Sequence, residues 1–185
     1  MGIPKVMSED VVLQFWFEEL SAEQWFKKDT ALDQLITERF KALHQSATQC
    51  ELFHWRHSPE GRLAEIIVLD QFSRNIYRDQ AGAFASDALA LALAQEAVAQ
   101  CADNTLSANQ RAFLYMPYMH SESLPIHEVA MRLYDQPGLE YNLEFEIQHR
   151  DIIARFGRYP HRNGILGRES TDEEVEFLTQ PGSSF

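Results

Sequence analysis

Residues 155–163 read RFGRYPHRN, three arginines and a histidine within nine residues, broken by Gly157 and Pro160. Arginine presents a planar fork matched to carboxylate and phosphate, and histidine exchanges a proton near neutral pH. Gly157 can end a helix in a left-handed turn, and Pro160 forbids its continuation. His161, Arg162 and Asn163 then fall in a short loop before Gly164 and Gly167. The stretch predicts a cationic wall in which Arg158 and Arg162 clamp an anion and His161 is the proton donor or acceptor. The alternative, equally open from sequence, pairs Arg158, Arg162 and Arg168 with the acids at 169–176 and so pins the last helix.

Two further clusters carry chemistry. In the run 59–77, Ile66, Ile67, Val68 and Leu69 point in four successive directions, so this helix is buried on nearly every side. Its stripe Leu63, Ile66, Ile67, Asp70, Arg74, Tyr77 nevertheless puts an acid and a base on a core-facing line. Asp70 and Arg74 have the spacing of an ion pair, and burying either alone is costly. Either the pair locks helix packing, or Arg74, Asn75 and Arg78 end the helix at a pocket with Asp70 orienting an arginine. The second cluster is Tyr115 to Glu122. Its His120, Ser121 and Glu122 line a pocket mouth, unless Ser121 simply caps the following helix. His149 lies on the apolar stripe Phe145, Ile152, Ile153, Phe156, as a hydrogen-bonded core residue or as a ligand. His149 or Glu122 would be the partner of His161 in any reaction.

Several chemistries lack their motifs. There is no G-x-S-x-G elbow, phosphate-binding loop or G-x-G-x-x-G fingerprint, and His120, Glu122, His149 and His161 have no tight metal spacing. No metal or cofactor is therefore assigned, and a metal-dependent hydrolase is only a lesser alternative. The net charge of -12 argues against DNA or an anionic membrane as partner. That charge is uneven, because residues 148–168 hold five arginines against Asp151 alone. Cys50 and Cys101 stand in unrelated contexts, as reduced thiols do in a cytoplasmic protein. The start MGIPKVMSED lacks a signal-peptide core, and its Met1-Gly2 opening has Val6 where a myristoylation motif wants Ser or Thr. The apolar run 88–94 is too short to span a bilayer.

These residues must be positioned by helices. Capping patterns occur at Ser21–Gln24, Ser107–Gln110 and Thr171–Glu174, and Ser58-Pro59 is a strong start signal. Apolar spacing of three and four residues recurs through 32–43, 59–77 and 139–156, residues 87–101 are rich in the helix formers alanine and leucine, and a helix opening at 107 should end or kink near Pro117. Alternating strand patterns are missing. The prediction is an all-α single compact domain of about eight helices over residues 1–180, with 181–185 as a frayed tail.

The motifs LDQFSRN, YMPYMHSE, FGRYPHRN and LGRESTDEE, in this order, resemble the bacterial domain-of-unknown-function family numbered 924. The resemblance runs from Val12 to Leu178. It implies an all-helical fold of tetratricopeptide-like stacked antiparallel helix pairs, and it implies no activity. The positions matching the family's polar motifs are Asp70, Arg74, Asn75, His120, Ser121, Glu122, His149, Arg158, His161, Arg162, Asn163 and Arg168. Ser73 stands where the family pattern commonly has proline, which favours a continuous helix through Arg74. The function expected is binding of a small anionic carboxylate or phosphate in a polar pocket among the three clusters. The alternatives are a scaffold gripping an acidic peptide, and buried networks that only fix the packing.

Overall fold

The computed structural model describes residues 7–185, and among them every regular element is a helix. The lipidation-like start at Met1–Val6 lies outside the described residues. Ser8 precedes α1 (Glu9–Gln14), which runs on into a π-helical turn over Phe15–Glu19. The Ser21 pattern opens α2 (Ala22–Phe26), and Asp29 caps α3 (Thr30–Thr48) by accepting from the amides of Ala31 and Leu32 at 2.8 and 3.2 Å. Ser58 accepts from Gly61 N at 3.0 Å and Pro59 occupies the first turn of α4 (Pro59–Ile67). The chain continues through a π-helical turn, Val68–Phe72, into α5 (Ser73–Ile76). The helix from Pro59 through Arg74 is thus unbroken, as Ser73 in place of proline allows.

Beyond it follow α6 (Asp87–Ala99), α7 (Ala108–Met119), α8 (Leu124–Tyr134), α9 (Glu140–Phe156) and α10 (Asp172–Phe177). Helix α7 passes through Pro117 and stops two residues later at Met119. Gly157 ends α9 in a left-handed conformation (φ 69°), and Thr171 with Glu174 forms a capping box on α10.

The α4–α5 run is the central post. Ile66, Ile67, Val68 and Leu69 are all fully buried, as four apolar residues around one turn require. α1, α6 and α7 pack on α4, while α3 packs on α5 and the π-turn. α7, α8 and α9 each lie against their neighbour in the chain. Phe15, Phe40 and Phe72 interlock at the centre, with ring centroids 4.9 and 4.7 Å apart around Phe40. A smaller core of Ile152, Ile153 and Tyr159, joined by Phe156 and Phe177, anchors the segment after α9.

Residues 181–185, expected to fray, are placed against the body. Gly182 at φ 77° reverses the chain, buried Ser183 donates to Leu178 O at 3.2 Å, and the Phe185 ring sits on His149. No helix among the described residues is long and apolar enough to cross a membrane.

Candidate functional site

The site begins in the π-turn. A π-helical turn inserts a residue into the helical repeat and re-aims the side chains that follow it. Here it turns Asp70 inward with only 1 % exposure, facing the C-terminal end of α7. One carboxylate oxygen lies 2.7 Å from Nδ1 of His120 and 3.3 Å from Arg74, and the other accepts from Gln71 at 2.7 Å. Arg74 also donates to the Asp70 carbonyl at 2.9 Å. Its other contact is Asp87, the first residue of α6, at 2.9 and 3.1 Å. Asp87 in turn accepts from Arg162 at 3.3 Å, and Arg162 donates to the carbonyl of His120 at 3.0 Å, closing a ring of contacts. Both guanidinium groups lie over Phe84, at 5.6 Å for Arg74 and 4.5 Å for Arg162, and Arg162 also lies over Tyr159 at 4.6 Å.

The charges in this ring are unequally served. Burial alone would raise the Asp70 carboxyl, but His120 and Arg74 outweigh it and hold Asp70 ionised well below the usual range. Burial and the Arg74 charge push His120 below its ordinary value, against the pull of Asp70. A neutral His120 donates Nδ1–H to the carboxylate and keeps a lone pair on Nε2, which has no partner among the described residues. Arg162 is 5 % exposed, and its Nε finds no acceptor. Its one carboxylate partner is held more closely by Arg74.

Arg74, Phe84, His120 and Arg162 of this ring line a cavity of about 670 Å³, within the range of small-molecule sites. The less exposed Arg74, His120, His161 and Arg162 form its polar floor, Asn75, Arg78, Lys27 and Lys28 also line it, and the exposed Phe26, Tyr141, Phe145 and Phe185 form an aromatic rim. His149 also reaches it, donating Nδ1–H to Phe145 O at 2.7 Å, and burial pushes it down to about 3. His161 has an unpartnered buried Nδ1 and is pushed down to about 4 by burial and by Arg162.

The stretch RFGRYPHRN divides. Its 3₁₀ turn at Pro160–Arg162 sends His161 and Arg162 into the cavity and leaves Arg158 and Asn163 on the other side. Arg158 grips Glu174 at 2.7 Å through two nitrogens, and Asn163 donates to Ser170 and Glu174 at 3.0 and 3.2 Å. Arg168 binds Glu122 at 2.7 and 2.9 Å, and Glu122 also accepts from Tyr159 N at 2.7 Å. Arg158 and Arg168, predicted as ligand-binding, therefore join the acids that pin α10 and the loop before it. Glu122, predicted as a catalytic partner, is spent on Arg168. Ser121 is equally remote: its Oγ accepts from Ser123 N at 3.2 Å at the start of α8. The physical reason is local: within the turn His161 and Arg162 face the cavity, while Arg158 before it and Asn163 after it both face Glu174.

Asp87 and Phe84 were not visible as site residues. An acid directly after Ser86 reads as the favourable first-turn charge of α6, and nothing local marks it as a partner for two arginines. Asp33 on α3 is similar, accepting from Asn75 at 2.8 Å and from Arg78 at 2.7 Å. A buried His127–Glu146 pair at 2.6 Å was also missed, its histidine donating to Ser121 O at 2.7 Å. Among the described residues, no three His, Cys, Asp or Glu side chains gather as a metal site.

Comparison with known proteins agrees with this architecture. A protein of unknown function from Agrobacterium tumefaciens, ATU0120, is 39% identical and superposes with a TM-score of 0.87, over 92% of this chain and 96% of that one. No curated protein matches. The model of the family described as "Bacterial protein of unknown function (DUF924)" matches residues 12–182. With the match spanning every helix from α2 to α10, the chain belongs to the DUF924 family.

Proposed function

We propose that the cavity binds a small anionic molecule through a carboxylate or phosphate, in a cytoplasmic protein whose exposed Cys50 and Cys101 remain reduced thiols. The observation that carries this reading is the under-served Arg162. A buried guanidinium with an orphaned Nε and only a share of one carboxylate gains more from a bound anion than an exposed one does. Arg74 stands beside it across Asp87, and the unpartnered Nε2 of His120 supplies a proton acceptor at the same wall. His161 adds a second imidazole there, and His149 lies farther along the same cavity.

A tetratricopeptide-like scaffold gripping an acidic peptide is less well supported, because Arg158 and Arg168 are already paired with Glu174 and Glu122. A metal-dependent hydrolase lacks a ligand cluster among the described residues.

The test is thermal unfolding with inorganic phosphate and with citrate, for wild type, Arg162→Ala and Arg162→Lys. An anion at about a hundred times its dissociation constant adds roughly 2.7 kcal/mol and raises the midpoint by several degrees. The expected shift occurs in wild type, shrinks in Arg162→Lys and vanishes in Arg162→Ala. Equal shifts in all three, or none from either anion in wild type, would overturn the proposal.

A further inference from the structure

The rim of the cavity is apolar where its floor is cationic. Phe26 is 61 % exposed, and Tyr141 on helix α9 is 64 % exposed, in contact with Phe145 at a centroid distance of 4.8 Å; all three line the cavity. Exposed aromatic rings gathered at the mouth of one cavity are unusual on a soluble surface, and they mark contact with something apolar.

The structure itself places a ring there. Phe185 lies with its centroid 3.7 Å from that of His149, and it meets Tyr159 and His161 edge-on at 5.3 and 4.7 Å. His149 is met at a tilt of 44° and the other two rings edge-on, so three rings together line a seat for an aromatic group. The hold is weak by comparison with the core, since Phe185 is still 54 % exposed. Tyr159 links this seat to the floor of the cavity. Phe185 and the Arg162 guanidinium lie 5.3 and 4.6 Å from its ring and both line the same cavity, so a single small molecule can span them. His149 and His161 are neutral at physiological pH, because burial holds both below their ordinary values. They therefore present flat, uncharged faces to a ring.

We infer that the ligand is an aromatic anion, whose ring takes the seat now filled by Phe185 while its carboxylate or phosphate reaches Arg162. Phe185 is then a competitor carried by the chain itself. It lowers apparent affinity by the fraction of time it occupies the seat, and the ligand must displace it. The inference rests on the anion-binding reading and specifies its substrate class.

The experiment is calorimetric titration of the full chain with inorganic phosphate, methyl phosphate and phenyl phosphate, for wild type and Phe185→Ala. Burying one ring predicts that phenyl phosphate binds wild type about tenfold or more tighter than methyl phosphate. Phe185→Ala should tighten phenyl phosphate further and leave methyl phosphate unchanged. Equal affinity for the methyl and phenyl esters would overturn the aromatic preference while leaving the anion site standing. Weaker phenyl phosphate binding in Phe185→Ala would make Phe185 part of the binding wall and overturn the competition. Absence of binding by all three phosphates in both proteins would bring down the anion site itself, and this inference with it.

Discussion

Nδ1 of His120 lies 2.7 Å from a carboxylate oxygen of Asp70, and Asp70 is buried inside the π-turn that joins α4 to α5. That contact fixes which ring nitrogen carries the proton, because an ionised carboxylate can only accept. Nε2 is thereby kept as a lone pair on the cavity side. We expect nitrogen NMR of the wild type to show His120 as the Nδ1–H tautomer at neutral pH. Asp70→Ala removes that acceptor, and the proton should no longer be confined to Nδ1. The same substitution strips Arg74 of one buried partner and should cost about 3–5 kcal/mol in urea unfolding. An unchanged tautomer in Asp70→Ala would show that Asp70 does not set the proton's position.

The two other cavity histidines predict a pH dependence. His149 and His161 are held down to about 3 and about 4, chiefly by burial. In the unfolded chain each titrates near about 6.5. Both folded values are lower, so below about pH 6.5 the unfolded state binds protons that the folded state refuses. Their contribution is complete above that value and is lost as pH falls, down to about 4 for His161 and about 3 for His149, at no more than about 1.4 kcal/mol per pH unit for each group. Urea unfolding between about pH 4.5 and pH 7 should show this slope, and His149→Gln/His161→Gln should flatten it. Parallel profiles for the two proteins would refute the assignment.

How far the sequence reveals all this depends on the range of the interactions. Helices were legible because their signals are local: Ser58-Pro59 starts α4 and Thr171 with Glu174 starts α10, each by bonds within one turn. The buried Asp70–Arg74 pair was legible for the same reason, being four residues apart on one helix. The ion pairs that divide the arginine stretch were not. Whether Arg158 meets Glu174 or a ligand depends on a turn whose direction is set by the packing of Tyr159 into a small core. Asp87 is harder still, since its partners Arg74 and Arg162 come from positions 13 and 75 residues away.

The His127–Glu146 pair, buried to complete exclusion of solvent, yields a third prediction. Nε2 of His127 faces the Ser121 carbonyl, which can only accept, so that nitrogen carries a proton. The 2.6 Å bond from Nδ1 to Glu146 needs a second proton, on one partner or the other. Burial raises the Glu146 carboxyl, which favours keeping that proton within the pair. Glu146→Gln supplies an amide donor to a neutral Nδ1 and preserves both bonds without any charge. It should therefore alter stability by less than about 1 kcal/mol, whereas Glu146→Ala leaves a void and an unpaired imidazole and should cost about 3 kcal/mol or more. Chemical unfolding of the two variants checks this. Equal losses would mean that the pair depends on a full carboxylate charge.

Arg158 and Arg162 are four residues apart in one loop and should behave as opposites. Arg158 binds Glu174 through two nitrogens and the Glu169 carbonyl at 2.8 Å, and Glu174 also receives Asn163 and the Thr171 amide. The Arg158 bond holds the Glu174 carboxyl down to about 2. Arg158→Ala removes the cation from this knot, so α10 should loosen and the melting point should fall. The cavity contains none of these groups, and affinity for inorganic phosphate should stay as in wild type. Arg162→Ala acts at the cavity floor. It frees Asp87 to Arg74 alone and relieves the repulsion between the two arginines, so its cost in stability is partly offset, while phosphate binding is lost. Hydrogen exchange on α10 together with phosphate titration separates the two effects. Loss of phosphate affinity in Arg158→Ala, with α10 still protected, would return Arg158 to the binding site and break the division of the loop.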